Sequence, residues 1–322
     1  MVKTLVFLLF VAFVYGKSIV HFDIEGVSIL FYYGPSLEDV STQHIKESLK
    51  ILEHEKFDKS KPTALYLHGF HEHQSSESVQ TVVKAYYERG DHNILTLDWA
   101  IMCNDSYFKA AFIQVNDMGS AFAPILLEMF DNGLDIEKFH LIGHSLGGQL
   151  AGIIGRVVHS KSADKVLLKR ITALDPAFPG FLNTPLSPSV SSDDADFVDI
   201  IHTDSGIYGT PFAIGDADFF PNGGLGKQPG CPLRNFEPLT DLDLCSHRRS
   251  WAFWAESVTG KSEPFWAIPA KKYIDFITGK NRNYTSMEDI VEMGINCPSS
   301  AKGTYYLKTG TSSPYSLGLK GV

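Results

Sequence analysis

The stretch Leu141-Ile142-Gly143-His144-Ser145-Leu146-Gly147-Gly148 constrains this chain more than any other. Residues 139–142 form an apolar run of strand character, and Gln149-Leu150-Ala151-Gly152 continues with the small residues of a closely packed helix. Gly143 and Gly147 stand two residues before and two after Ser145. That spacing defines a nucleophile elbow, a strand-to-helix turn too tight for side chains at the two glycines, with the serine hydroxyl projected at its tip. A chance Gly-x-Ser-x-Gly match in a loop would lack the flanking strand and helix.

The apolar pattern elsewhere repeats the same alternation. Strands are predicted over 63–67, 93–97, 170–174 and 197–201, with helices over 79–87 and 118–130. Strands and helices in succession predict an α/β fold with a mainly parallel central sheet, right-handed crossovers and helices on both faces. Residues 18–33 are expected to form a hairpin turning near Glu25-Gly26, and 36–60 a polar surface connection with Ile45, Leu49 and Leu52 on one helical face. The glycine-rich segment 205–230 reads as an irregular loop. A helix carrying Trp251 and Trp254 and a late strand over 303–307 complete the chain. With no internal repeat or linker, residues 17–322 are read as a single domain.

The N-terminus points to a compartment. Lys3 precedes an apolar run over 5–14, and Val14-Tyr15-Gly16 offers small residues for a signal peptidase, so residues 1–16 are read as a secretory signal. The run is too short to span a bilayer, which disfavours the alternative of a retained anchor. Export makes disulfides available to Cys103, Cys231, Cys245 and Cys297, in three possible pairings. Cys231 and Cys245 bracket a short polar stretch and are expected to close it; Cys103 with Cys297 is left by elimination, with free thiols as the alternative. Asn104 and Asn283 each begin an acceptor sequon for glycosylation. A formal charge of −9 without a long basic run excludes an electrostatic nucleic-acid or heparin footprint, so contact with lipid has to be mainly hydrophobic.

A serine hydroxyl needs a histidine to take its proton and an acid to hold that histidine's tautomer. Asp175 follows the strand over 170–174, with Pro176 stiffening its turn, and is preferred over Asp204, which also follows a strand. Asp199 falls inside a strand, and Asp193, Asp194 and Asp196 in a polar loop where solvated or capping roles are the default. For the base, His247 competes with His202, which ends a strand and reads as a hydrogen-bonded core residue. A disulfide at Cys245 would hold the His247 loop rigid, which favours His247. His144 reads as a packing residue. His68-Gly69-Phe70 follows the strand over 63–67, where glycine admits the close main-chain approach that lets the Phe70 N–H donate to a reacting oxygen. The cluster His68, His71, Glu72 and His73 is read as a histidine-rich loop rather than a metal site, and no cofactor is implied.

Five motifs then converge: Gly143-His144-Ser145-Leu146-Gly147, Leu174-Asp175-Pro176-Ala177-Phe178-Pro179, Ile201-His202-Thr203-Asp204, Asp218-Phe219-Phe220-Pro221-Asn222-Gly223-Gly224 and Cys245-Ser246-His247-x-Arg249. In order and spacing the chain resembles the pancreatic-lipase family over nearly all of its mature length. The resemblance implies a secreted α/β-hydrolase acting on glycerolipid esters, with Ser145, Asp175 and His247 as its triad and the N–H groups of Phe70 and Leu146 as its oxyanion hole. The family's larger members carry a C-terminal β-sandwich for colipase or surface docking, which is not expected here, and neither is colipase. The segment from Cys231 to Cys245 corresponds to the family's lid and is short, as is the loop over 205–215. This pattern looks like the phospholipase A1 members and related insect lipases, so a phospholipid is the first substrate expected and a neutral glyceride the second. The resemblance also implies a calcium loop before the His202 strand. Of its acidic ligands only Asp194 has a counterpart, with Leu186, Ser189 and Ser191 at the other positions, so structural calcium is not expected. A short-chain esterase and a non-catalytic lipid-binding or storage protein are the rival readings; oligomeric state is not legible.

Overall fold

Thr63-Ala64-Leu65-Tyr66-Leu67 is buried at every position, and its alternation explains the layers around it. Leu65 and Leu67 join one hydrophobic cluster, whereas Ala64 and Tyr66 join another, so the strand faces a core on each side. The computed structural model describes residues 24–34, 36–103, 106–181, 188–234, 237–280 and 290–322. Its strands are β1 (Ser28–Tyr32), β2 (Val40–His44), β3 (Thr63–Leu67), β4 (Asn93–Asp98), β5 (Phe139–His144), β6 (Arg170–Leu174), β7 (Val198–Ile201), β8 (Ala217–Pro221), β9 (Phe265–Pro269), β10 (Val291–Met293) and β11 (Gly303–Leu307). They form one sheet in the order β2-β1-β4-β3-β5-β6-β7-β8-β11-β9-β10. Every pairing from β4 across to β11 is parallel, and the outer strands at both ends are antiparallel.

Helices cover both faces. On one, α1 (Glu77–Arg89) buries Val79, Val82, Val83 and Tyr86, the spacing of a single helical stripe, and packs against α4 (Asp241–Thr259). On the other, α2 (Val115–Asp131) buries Met118, Phe122, Leu126 and Met129 and packs against α3 (Leu146–Lys161), the helix that leaves the elbow. The α/β class, the parallel centre and the helices on both faces are as expected.

Four expectations are corrected. β1 pairs with β2 on one edge and with β4 on the other, so the hairpin partner of β1 is residues 40–44; Ser28 sits opposite His44 and Tyr32 opposite Val40, and residues 18–23 of the expected hairpin lie outside the described residues. The turn expected near Glu25-Gly26 is present, closed by the Val27 N–H on the Ile24 carbonyl at 3.0 Å. Part of the presumed connection over 36–60 is therefore strand. Within the presumed loop over 205–230, Ala217–Pro221 is a fully buried strand, because its one acid, Asp218, is satisfied internally by His202 Nε2 at 2.8 Å and by the Ile214 and Gly215 amides. The fourth concerns cysteine. Cys231 and Cys245 are bonded, but Cys103 and Cys297 are free and buried. They belong to the clusters on opposite faces of the sheet, so the sheet itself stands between them. The signal segment, Asn104, Asn283 and Leu186 lie outside the described residues.

Candidate active site

The elbow has the geometry its glycines dictate. A Cβ on Gly143 would meet the Gly147 carbonyl oxygen at 2.1 Å, and one on Gly147 would meet the Leu67 carbonyl oxygen at 2.2 Å. Both contacts are with main chain, which cannot yield. Ser145 itself takes φ 56° and ψ −118°, a strained conformation for an L-residue, held by its N–H on the Leu174 carbonyl at 3.0 Å and by α3 starting at the next residue. β5 and α3 thus fix the serine between them.

β6 delivers Asp175, fully buried, at its carboxyl end with φ 45°. Its Oδ1 accepts from the N–H groups of Thr203 at 2.8 Å and Asp204 at 3.1 Å, and its Oδ2 lies 2.6 Å from His247 Nδ1. A carboxylate has no proton to give, so Nδ1 carries the hydrogen and Nε2 is left free to accept one. Ser145 and His247 line one cavity of about 290 Å³ together with Gly69, Phe70, Tyr107 and Tyr208. A larger groove between α1 and α4, of about 660 Å³, shares Glu77, Arg248 and Trp251 with it but is not lined by the serine.

His247 was expected on a loop; it stands in the second turn of α4. Thr240 caps that helix by accepting from the Asp243 N–H, and Asp241 and Asp243 place negative charge in its first turn, so the helix begins before the histidine rather than after it. Cys245 belongs to the same helix, so the disulfide ties the start of α4 to the segment before it.

The rival residues have other partners. His202 is a core residue, bound to Asp218 Oδ1 and to the Thr210 carbonyl oxygen and stacked on Phe220. Asp204 holds Arg234 through both carboxylate oxygens at 2.6 Å; burial and the neighbouring Asp175 push its carboxyl up to about 6, against the pull of that guanidinium. Arg234 also reaches Asp243 at 3.1 Å, and Asp243 accepts a short hydrogen bond from the Tyr208 hydroxyl. This network fastens the Cys231–Cys245 segment beside the cavity and was not visible in the sequence, since its members lie far apart in the chain.

Beside the serine, a Cβ on Gly69 would meet Ser145 Cβ at 3.1 Å, which explains the glycine of His68-Gly69-Phe70. Among the described residues the Phe70 N–H has no acceptor. Leu146 is the first residue of α3, where an N–H has no intrahelical acceptor. His68 points away into the core, its Nε2 accepting from the Trp99 N–H at 3.3 Å, and His144 packs its ring 4.7 Å from that of His247. Glu72, read only as part of a histidine-rich loop, accepts from the Gly69 N–H at 2.6 Å. A carboxylate three residues after a glycine was the available signal.

The segment in which the resemblance implies calcium holds a different arrangement. Asp194 is fully buried, pairs with Arg156 Nε at 3.0 Å and accepts from the Ser191 N–H at 2.8 Å, while Arg156 Nη2 donates to the Ser189 carbonyl at 3.2 Å. A hard divalent cation takes six to eight oxygens, and here the one buried carboxylate already faces a guanidinium, so these residues do not fit calcium.

A mainly parallel sheet with helices on both faces, a strained serine turn after its central strand and an Asp-His pair beside it define an α/β-hydrolase. The family model described as Lipase matches residues 20–315, and the chain belongs to that family, the pancreatic lipase family. The chain is 30% identical over 293 residues to inactive pancreatic lipase-related protein 1 of Homo sapiens, a match that covers 84% of this chain and 61% of that protein. It is 29% identical over 243 residues to phospholipase A1 member A of Bos taurus (75% of this chain, 51% of that protein). Against pancreatic triacylglycerol lipase of Cavia porcellus it is 28% identical over 318 residues (91% and 66%). These matches span half to two thirds of the length of the relatives.

Proposed function

We propose that this protein is a secreted hydrolase of carboxylic ester bonds in glycerolipids, of the phospholipase A1 type. The observation that carries the reading is the buried hydrogen bond from His247 Nδ1 to Asp175 beside a serine held on a strained elbow. Ser145 Oγ attacks the acyl carbonyl carbon as its proton passes to His247 Nε2, and the carbonyl oxygen becomes an oxyanion that the Phe70 and Leu146 N–H groups receive. The tetrahedral species collapses, the alcohol leaves with the proton from His247, and an ester to Ser145 remains. Water then repeats the sequence: His247 takes its proton, the acyl bond to Ser145 breaks, and the serine recovers its hydrogen. Asp175 keeps Nδ1 protonated throughout and stabilises the imidazolium.

An apolar rim supports a lipid surface as the site of action. Tyr107 and Leu239 line the cavity, and beside Tyr107 the exposed rings of Phe108 and Phe112 stack next to exposed Ile113. The short Cys231–Cys245 segment supports a polar head group, since a small lid leaves the cavity mouth open. Fatty-acid release from phosphatidylcholine and from a triglyceride, by one purified sample, is the test. Faster release from the phospholipid, at its sn-1 ester, is expected; faster release from the triglyceride reverses the subtype.

Calcium has no part in this reading. Chelation by EDTA is expected to leave the thermal unfolding midpoint unchanged, because Arg156 already supplies the positive charge facing Asp194. A midpoint that falls by several degrees and returns with added calcium would contradict it.

A further inference from the structure

The catalytic reading uses Ser145, His247, Asp175 and two amides, and leaves one partly buried carboxylate beside them, Glu72, without a role. Glu72 turns back from the loop between β3 and α1 toward the turn that carries Phe70. Its Oε2 accepts from the Gly69 N–H at 2.6 Å, while its own N–H reaches the Gly69 carbonyl at 3.3 Å, so the two residues close on each other through side chain and main chain. The same Oε2 lies 3.3 Å from His144 Nδ1, and the His144 ring packs against that of His247. The side chain is only 18% exposed. Burial works against its charge, but the His144 ring, the Ser78 hydroxyl and the His68 ring together offset this and hold its carboxyl at about 2, so it stays ionised at neutral pH; burial keeps the His144 imidazole below its usual range, so that ring faces the carboxylate as a neutral Nδ1–H donor.

Gly69 is hemmed in on the other side as well. A Cβ placed on it would stand 3.0 Å from Glu72 Oε2, 3.1 Å from Ser145 Cβ and 3.2 Å from His144 Nδ1. The peptide that ends in the Phe70 N–H therefore has little room to turn, and its neighbouring amide is held by an ionised acceptor. Charge-assisted hydrogen bonds of this length are the strong ones, and a donor aimed at a developing oxyanion is useful only when its direction is fixed before the reaction. The adjacent loop has a second tether, the His71 N–H on the Cys103 carbonyl at 3.2 Å, with His71 at φ 58°. That bond holds the far side of the turn; the Gly69 carbonyl lies 3.0 Å from His68 Nδ1, and the Gly69 N–H has the Glu72 carboxylate as its acceptor.

We propose that Glu72 is a positioning residue for catalysis: it anchors the Gly69-Phe70 turn, and with it the Phe70 amide, against Ser145 and the His144–His247 ring pair. This rests on the serine-hydrolase reading above. Glu72 touches no reacting atom in that scheme; it acts through the peptide it holds. An acceptor is what the role requires, so a neutral acceptor of the same shape should fill most of it, and a methyl group none.

Glu72→Ala and Glu72→Gln, assayed beside the wild type on a soluble p-nitrophenyl ester, test it. Glu72→Ala is expected to lower kcat by at least ten-fold with KM changed less than three-fold, and Glu72→Gln to recover kcat to within about three-fold of wild type. Deuterium exchange over residues 68–72 supplies a readout independent of activity: faster exchange in Glu72→Ala and near wild-type exchange in Glu72→Gln. Wild-type kcat in Glu72→Ala, equal losses in the two variants, or unchanged exchange in Glu72→Ala would each overturn the proposal. A wild-type protein that neither cleaves the ester nor forms an adduct with an organophosphonate would instead remove the hydrolase reading, and the exchange measurement would still decide whether Glu72 anchors the turn.

Discussion

Ser145→Ala is expected to lose ester hydrolysis by about 10⁴- to 10⁶-fold while keeping its thermal midpoint, the range in which removing the nucleophile of a serine triad leaves only the contribution of the oxyanion donors and substrate binding. The hydroxyl carries none of the packing: the turn is held by main-chain bonds to Leu174 and by the start of α3, all of which alanine preserves. Strain at φ 56° is the same for serine and alanine. It is relieved in Ser145→Gly, which should be as inactive and more stable, by about 1–3 kcal/mol. Release of fatty acid by purified Ser145→Ala at the wild-type rate would end the proposed mechanism. The experiment also weighs the non-catalytic rival. One relative bears the name inactive pancreatic lipase-related protein 1, so family membership alone does not establish activity, and a wild-type chain as inert as the variant would place this protein with it.

Legibility in the sequence followed burial. β3, β4, β5 and β6 lie between two helical layers and read as nearly continuous apolar runs. β2 escaped because it is an edge strand, with Ser41, Thr42 and Gln43 on a partly exposed ribbon whose composition is that of a loop. β8 escaped for the opposite reason: Asp218 looks foreign to a buried strand until His202, sixteen residues earlier, is seen to satisfy it. Asp175 was legible because a strand end and a proline mark it locally, and His247 because a cysteine stands two residues away. Its helix was not, although Thr240 with Asp243 was a cap in plain view. Cys103 with Cys297 failed because elimination counts thiols and does not say which side of a sheet each occupies. Arg234 was invisible for a related reason: the carboxylate it holds lies thirty residues away and leaves no pattern along the chain, whereas Glu72 left only the local signal of a carboxylate three residues after Gly69.

Asp175→Asn is expected to cost about 10⁴-fold in kcat with the fold retained, and the hydrogen bonds around Asp175 say why. Oδ1 faces two N–H donors, from Thr203 and Asp204, so that position must remain an acceptor. An asparagine therefore keeps its carbonyl there and turns its NH₂ group toward His247 Nδ1. An amide that donates forces Nδ1 to accept, which moves the ring proton to Nε2, the atom that must take the proton of Ser145. The base is then present, correctly placed and in the wrong tautomer. Asp175→Ala differs in a measurable way: it leaves the Thr203 and Asp204 N–H groups buried without an acceptor, at about 1–3 kcal/mol each, so it should lose stability as well as activity. Asp204→Asn is the matched control. It alters a second buried carboxylate, on the residue whose own N–H is one of those two amides, but that carboxylate's partner is Arg234 and not the histidine, so the tautomer of His247 is untouched. Activity measured on a soluble ester, with unfolding midpoints for all three variants, separates the cases. A loss in Asp204→Asn equal to that in Asp175→Asn would mean that activity depends on fastening the Cys231–Cys245 segment through Arg234 as much as on holding the base.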